Sequence, residues 1–175
     1  MRSEHLLLNG KRIKSAGFDL RLVRIQESDL PFLFRLYAST RKEEMDLTNW
    51  TDEEKISFLE MQFNFQHHHY ITSYPGAQLD KIIVNGKDAG RLYVYRTDKT
   101  ILVIDIALVP EFHHCGIGSI CMQQLMDEAG QKNQSVRLHV ERFNPAQEFY
   151  KKLGFVVIED QDVYLFLEWK PYEIL

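Results

Sequence analysis

A mixed α/β domain on a mostly antiparallel, twisted sheet of about seven strands, with helices on both faces, is the fold class that the sequence predicts. Three observations predict it. Short apolar runs that alternate or are nearly continuous recur from residue 81 to residue 168, segments with apolar residues three and four apart lie among them, and Asn-Gly pairs separate runs that can fold back on each other. With 175 residues, 45% hydrophobic and 26% charged, one domain over residues 1–175 is expected, large enough to bury a sizeable core.

The elements follow in order. Asn9 and Gly10 between two short runs mark a tight hairpin turn, and residues 20–25 alternate like a strand with one buried face. Ser28 is suited to cap a helix carrying Leu30, Leu33, Phe34 and Tyr37, with Pro31 tolerated in its first turn. Residues 41–50 are polar and charged. Thr51 and Glu54 then form a capping box before a helix with Ile56, Leu59 and Phe63 that should end near Gln66. Residues 67–76 show no period and close on Pro75 and Gly76, a turn signal. Strands at 81–84 and 90–95 should pair across Asn85 and Gly86, and the nearly continuous apolar run 101–109 reads as a central strand covered on both faces. A helix over 116–129, a strand over 136–140, a short helix over 145–153 and two strands within 155–168 complete the chain.

Composition narrows the function. A formal charge of −4 and a pI near 6 oppose general binding to nucleic acid, which needs clustered Lys and Arg to displace counterions. No apolar run is long enough to span a membrane and the N-terminus lacks the core of a signal peptide, so a soluble cytoplasmic protein is expected. The two cysteines, Cys115 and Cys121, suit a reducing compartment and have no metal-binding spacing.

The segment carrying most chemistry is the turn His113, His114, Cys115, Gly116, Ile117, Gly118, Ser119, between a strand and a helix. A helix N-terminus presents unpaired amides and partial positive charge, and glycines at alternate positions let a phosphate approach them. A dinucleotide-binding turn would need a third glycine where Cys121 stands, a shorter loop, and more chain than follows Glu141. All three are missing.

The tract from Ile106 through Gly118, with Asn144, Pro145 and Ala146 and then Phe149, Tyr150, Lys151, Lys152, Leu153, Gly154 and Phe155 downstream, resembles the GNAT family of N-acetyltransferases. The resemblance is close over residues 101–155. It implies acetyl-CoA as co-substrate without a metal, and transfer of its acetyl group to a primary amine on a small molecule or a protein N-terminus. A catalytically silent acyl-CoA-binding module is the alternative. By position, Ile106, Ala107 and Leu108 should contact pantetheine, the turn His113, His114, Cys115, Gly116, Ile117, Gly118 and Ser119 should hold the pyrophosphate, and Asn144 should lie near the pantetheine arm. The family commonly dimerises through the sheet edge or last strands. Where the family favours Arg or Gln, Gly, and a basic or polar residue, this turn has His113, His114 and Cys115. Weaker or pH-sensitive CoA binding is the expectation, because a nearby phosphate favours protonated imidazole.

Acetyl transfer needs an unprotonated amine and a proton for the departing thiolate. The resemblance implies that Tyr150 gives that proton, a role that otherwise reads as a helix aromatic packed beside Phe149 and Phe155. For the base, His139 stands where some relatives carry a glutamate, and imidazole titrates near working pH; a hydrogen-bonded sheet residue is the other reading. Glu141 and Asp105 are rival carboxylates, and Asp105, in an apolar strand, must be a site residue or part of a polar network. The run His67, His68, His69 reads as a solvated loop, since neighbouring side chains diverge and no further ligand completes a metal set. Of the aromatic-rich stretch where the family builds its acceptor pocket, Met61 and Phe63 are expected in the core, whereas Tyr70 and Tyr74 are better placed to line a site.

Overall fold

The computed structural model describes residues 11–15 and 17–172, so the turn expected at Asn9 and Gly10 lies outside the described residues. Among the described residues there are eight strands: β1 (Lys11–Ser15), β2 (Phe18–Arg24), β3 (Gln78–Val84), β4 (Lys87–Arg96), β5 (Thr100–Leu108), β6 (Ser135–Glu141), β7 (Val156–Gln161) and β8 (Tyr164–Trp169). They form a mostly antiparallel sheet in the order β1-β2-β3-β4-β5-β6-β8-β7. That is one strand more than the expected seven, the polar β1 run having laddered onto β2 with Ile13 opposite Leu20. Two compact units make up the fold. One holds the chain up to Tyr93 together with Asp105–Ile117, the other Val94–Ile104 and the chain from Gly118 onward.

In the first unit, α1 (Leu30–Thr40), the short α2 (Lys42–Asp46) and α3 (Asp52–Ser73) accompany the first strands. Asp29 rather than Ser28 organises the start of α1: its carboxylate accepts from the Gln26 amide at 2.9 Å and from Lys81 at 2.7 Å, and Lys81 also reaches Asp88 at 2.9 Å. The capping box of α3 forms as expected, Thr51 and Glu54 exchanging bonds of 2.8 and 3.2 Å. Phe32, Leu33, Leu36, Tyr37, Met45, Leu59 and Phe63 make one buried cluster, with the Phe63 ring centroid 5.8 Å from Phe34 and 5.9 Å from Tyr37. Met61, expected in the core, points to solvent instead, because the buried stripe of α3 runs through Leu59 and Phe63.

One element is added here and one expectation changes. Residues 41–50 contain α2, whose Met45 joins the core, and α3 continues seven residues past Gln66 to Ser73. His67, His68, His69 and Tyr70 are therefore helical. The reason lies outside local sequence: Gln66 and Tyr70 bond to β4 and β5, so the last turns of α3 are held by tertiary contacts rather than by periodicity.

Asn85 and Gly86 both have positive φ, 50° and 79°, the geometry of a two-residue hairpin turn matched to strand twist. Within β4, Gly90 has a steric role. A Cβ there would stand 2.1 Å from the carbonyl oxygen of Ala107 and 2.8 Å from Leu108 Cδ2, so only a residue without a side chain lets β5 come this close.

In the second unit, β5 and β6 run parallel with Thr100 opposite Ser135 through Val103 opposite Leu138, although β5 continues to Leu108. Within β5, Ile101 and Val103 are buried, while residues 104–108 are half-buried rather than covered on both faces as expected. The helix α4 (Ile117–Gln131) buries Cys121, Met122, Leu125, Met126 and Ala129, an apolar stripe at helical spacing. On its last turns Glu128 receives two bonds of 2.9 Å from Arg96 and one of 2.9 Å from Lys132. The Arg96 bond, more than burial opposes it, draws the Glu128 pKa down from 4.5 to about 2.

A carboxyl whose folded pKa is depressed stabilises the fold above its unfolded pKa, and that contribution is lost as pH falls through the folded value. Glu128→Gln should therefore cost about 1–2 kcal/mol near neutral pH, discounted for partial exposure. Urea unfolding at a series of pH values should show this gap closing between pH 4.5 and about 2. In the same assay Gly90→Ala should cost about 2–3 kcal/mol, the atom it meets being backbone.

Candidate functional site

The turn after β5 starts with a single 3-10 turn, Pro110–Phe112, in which the His113 amide donates to the Pro110 carbonyl at 3.1 Å. The His113 ring folds back and its Nε2–H donates to the Leu108 carbonyl at 2.7 Å. That bond fixes the tautomer and ties the turn to the end of β5. Next, His114 adopts φ 57° and Gly116 φ 81°. Left-handed residues alternating with ordinary ones turn successive amides toward one point, the geometry of an anion-binding nest. Glycine is favoured at such a position, and a histidine held there carries strain on the order of 1–2 kcal/mol. Cys115 is exposed, its thiol donating to the His113 carbonyl at 3.3 Å. Gly118, in the first turn of α4, has room for a methyl group: a Cβ there would lie 3.7 Å from Phe149. Packing alone does not require glycine at this position.

Asp105 has the partners that its apolar strand demanded. Arg91 of β4 reaches it at 2.5 Å and the Tyr70 hydroxyl donates to it at 3.2 Å. Arg91 is only 3% exposed; it also donates to Gln66 at 2.8 Å and lies 5.2 Å from the ring centroid of Tyr93. Burial pushes the Tyr93 hydroxyl up to about 12, against the pull of Arg91. His67, stacked on Phe63 at 5.7 Å, has its pKa lowered by burial and then by the Arg91 charge. Sequence reading missed Arg91 and Gln66. The available signal was Arg91 itself, a charge beside Leu92, Tyr93 and Val94 that needed a partner as much as Asp105 did.

The second unit carries the other expected residues. His139 lies on β6 with its ring stacked on Phe166, centroids 4.3 Å apart and planes at 16°. Burial of that face lowers its pKa, while Glu159 opposes the shift, so the imidazole is neutral near pH 7. Asn144 starts α5 (Ala146–Lys152): its side-chain oxygen accepts from the Ala146 amide at 2.8 Å. Tyr150 is buried in α5, with ring centroids 5.1 Å from Phe149 and 5.8 Å from Phe155. Glu141 ends β6, and its carbonyl accepts from the Asn144 amide at 3.0 Å. Ile106, Ala107 and Leu108 belong to the first unit with Asp105 and residues 113–117, whereas Gly118, Ser119, His139, Asn144 and Tyr150 belong to the second. Among the described residues, no group of three His, Cys, Asp or Glu side chains could hold a metal ion. Nor is any helix among them long and apolar enough to cross a membrane.

A family model described as the acetyltransferase (GNAT) domain matches residues 67–157, more than half of the chain. The chain belongs to the GNAT acetyltransferase family. No curated protein matches it in sequence. Among solved structures it is similar to the PaiA N-acetyltransferase of Thermoplasma acidophilum in complex with coenzyme A, at 18% identity and a TM-score of 0.64, covering 89% of this chain and 99% of that one. An acetyltransferase of Thermus thermophilus is similar at 16% identity and a TM-score of 0.61, covering 93% and 100%. The ribosomal-protein-alanine N-acetyltransferase of Escherichia coli is similar at 18% identity and a TM-score of 0.57, covering 89% and 98%. At these identities the likeness is one of fold.

His114→Gly should leave stability within about 0.5 kcal/mol, relief of strain being offset by the greater freedom of the unfolded chain. His114→Val, β-branched at positive φ, should cost about 1–2 kcal/mol. Urea midpoints of the two variants check both outcomes.

Proposed function

We propose that this GNAT-family chain transfers the acetyl group of acetyl-CoA to a primary amine, working as one acetyltransferase domain. The observation that carries the reading is the turn His113 to Ser119, where the left-handed residues His114 and Gly116 stand just before α4. Such a nest at a helix N-terminus suits a pyrophosphate, and the Thermoplasma acidophilum relative holds coenzyme A. Ile106, Ala107 and Leu108 lie on β5 beyond its last ladder pair with β6, which supports their backbone as the pantetheine contact. Asn144 is assigned to the pantetheine arm, a side chain already oriented by the Ala146 amide.

In the proposed step the amine nitrogen attacks the thioester carbonyl, the C–S bond breaks, and an amide forms as the thiolate leaves. Tyr150 gives the thiolate its proton. His139, neutral near pH 7, takes the proton released by the amine, directly or through water. Asp105 bonds to Arg91 and Tyr70, which favours a positioning role for this carboxylate over a role as the base. The two free cysteines fit the reducing cytoplasm, and a net charge of −4 suits an amine acceptor rather than nucleic acid. A homodimer is part of the same reading, by family likeness. One observation favours a silent acyl-CoA-binding module instead: Tyr150 is only 8% exposed and packed between Phe149 and Phe155.

Calorimetric titration with acetyl-CoA, combined with thiol release on a panel of amines, separates the readings. Binding without thiol release for any amine identifies the silent module. Tyr150→Phe should lower kcat by about 100-fold or more with CoA affinity kept; unchanged turnover removes the general-acid role. A base must be unprotonated, and the His139 pKa lies below 6.5. Activity should therefore persist somewhat below pH 6.5 before it falls, and His139→Gln should abolish that acid limb.

A further inference from the structure

Helix α3 has apolar side chains on two sides. Leu59 and Phe63 face the core, with half-buried Phe58 packed at its edge; from Phe58, Met61 and Phe65 continue three and four residues apart as a second stripe at helical spacing. Phe65 is 69% exposed, Met61 49%, and Trp50 at the helix entrance 42%. The Trp50 ring packs edge-on against Phe58, centroids 5.0 Å apart. Together with Glu53, Glu54 and Ser57 these two rings line a cavity of about 390 Å³. One oxygen of Glu54 receives the Thr51 amide; its second oxygen and the Glu53 carboxylate remain as acceptors at the rim.

Charge selects the occupant. Residues 41–60 hold seven carboxylates against three cations, a formal −4 that equals the charge of the whole chain. Of the cations, Arg41 pairs with Glu44, Lys42 pairs with Asp46, and Lys55 acts on Asp46 as well. Nucleic acid and anionic lipid are repelled by such a field. An aromatic pair beside carboxylates is the chemistry that takes a long cationic side chain, its methylenes on the rings and its head on the oxygens.

We propose that the α2–α3 face is a docking surface for a basic amphipathic segment of another polypeptide, with a Lys or Arg side chain in the cavity of Trp50, Glu53 and Phe58 and apolar residues on Met61 and Phe65. This goes beyond acetyl transfer and does not depend on it.

The test is calorimetric titration of the full chain with a blocked peptide of about 14 residues carrying Lys and Leu at helical spacing. Expected is saturable one-to-one binding with a Kd on the order of micromolar. It should weaken at least about 10-fold in Met61→Ser/Phe65→Ser, at least about 3-fold in Glu53→Gln, and further as salt rises from about 50 to about 300 mM. Met61, Phe65 and Glu53 are solvent-facing, and circular dichroism confirms that each variant folds. Equal binding of a Glu/Leu peptide overturns the proposal, as does no binding of the Lys/Leu peptide. Spermidine competing at equal affinity overturns it in favour of a small cation. Sedimentation showing a dimer that Met61→Ser/Phe65→Ser dissociates overturns it in favour of a second copy of this chain. Acetyl-CoA titrated into the same samples keeps failure of docking distinct from failure of the acetyl-transfer reading.

Discussion

Arg91 carries a charge that water scarcely reaches, and much of the first unit is arranged around that fact. A buried guanidinium is tolerated only where ionic and hydrogen-bond partners replace its hydration shell. Here Asp105 of β5 supplies the counter-charge, Gln66 of α3 a carbonyl oxygen, and Tyr93 a ring face. Tyr70 then holds the other side of the arrangement by donating to Asp105. Removing one member of such a pair strands the other, at a cost of about 3–5 kcal/mol. The position of the last turns of α3 and the register of β5 therefore depend on the same contact.

Gly90, the neighbour of Arg91, acts on β5 by what it lacks. Where Arg91 grips Asp105 by charge, Gly90 leaves room for the Ala107 carbonyl, and the His113 ring bonds the carbonyl one residue further on. Residues 105–108 are thus fixed at successive points by three different physical means. Each acts on backbone or on an ion pair rather than on an apolar side chain, which is how a half-buried strand stays ordered without the full cover of a core strand.

Most strands and the hairpin turn at Asn85 and Gly86 were legible in sequence because their causes are local: alternation along residues 20–25, and two positive-φ residues at the turn. The N-terminal capping box of α3 was legible for the same reason. What escaped sequence reading depends on partners distant along the chain. The end of α3 is set by bonds from Gln66 and Tyr70 across 25 and 35 residues, and Met61 follows from which side of the helix meets α1. For the site, a turn before α4 was readable from its glycines, but the left-handed conformation of His114 was not, since it is uncommon for any residue with a side chain, although histidine adopts it more often than most. Asp105 announced a need without naming Arg91. Asn144 was singled out by resemblance alone, and its side chain accepts from the Ala146 amide, so the motif has a folding role beside any other.

The two cysteines sit six residues apart in opposite settings. Cys121 is wholly buried on α4, and burial pushes its thiol up to about 12, whereas Cys115 is exposed between the left-handed residues His114 and Gly116. A reagent in solution reaches only an accessible sulfur, so the folded chain presents a built-in attachment point in the turn after β5. A dye or spin label would go there without any engineered cysteine. Any thiol-directed inhibitor would meet the same turn first.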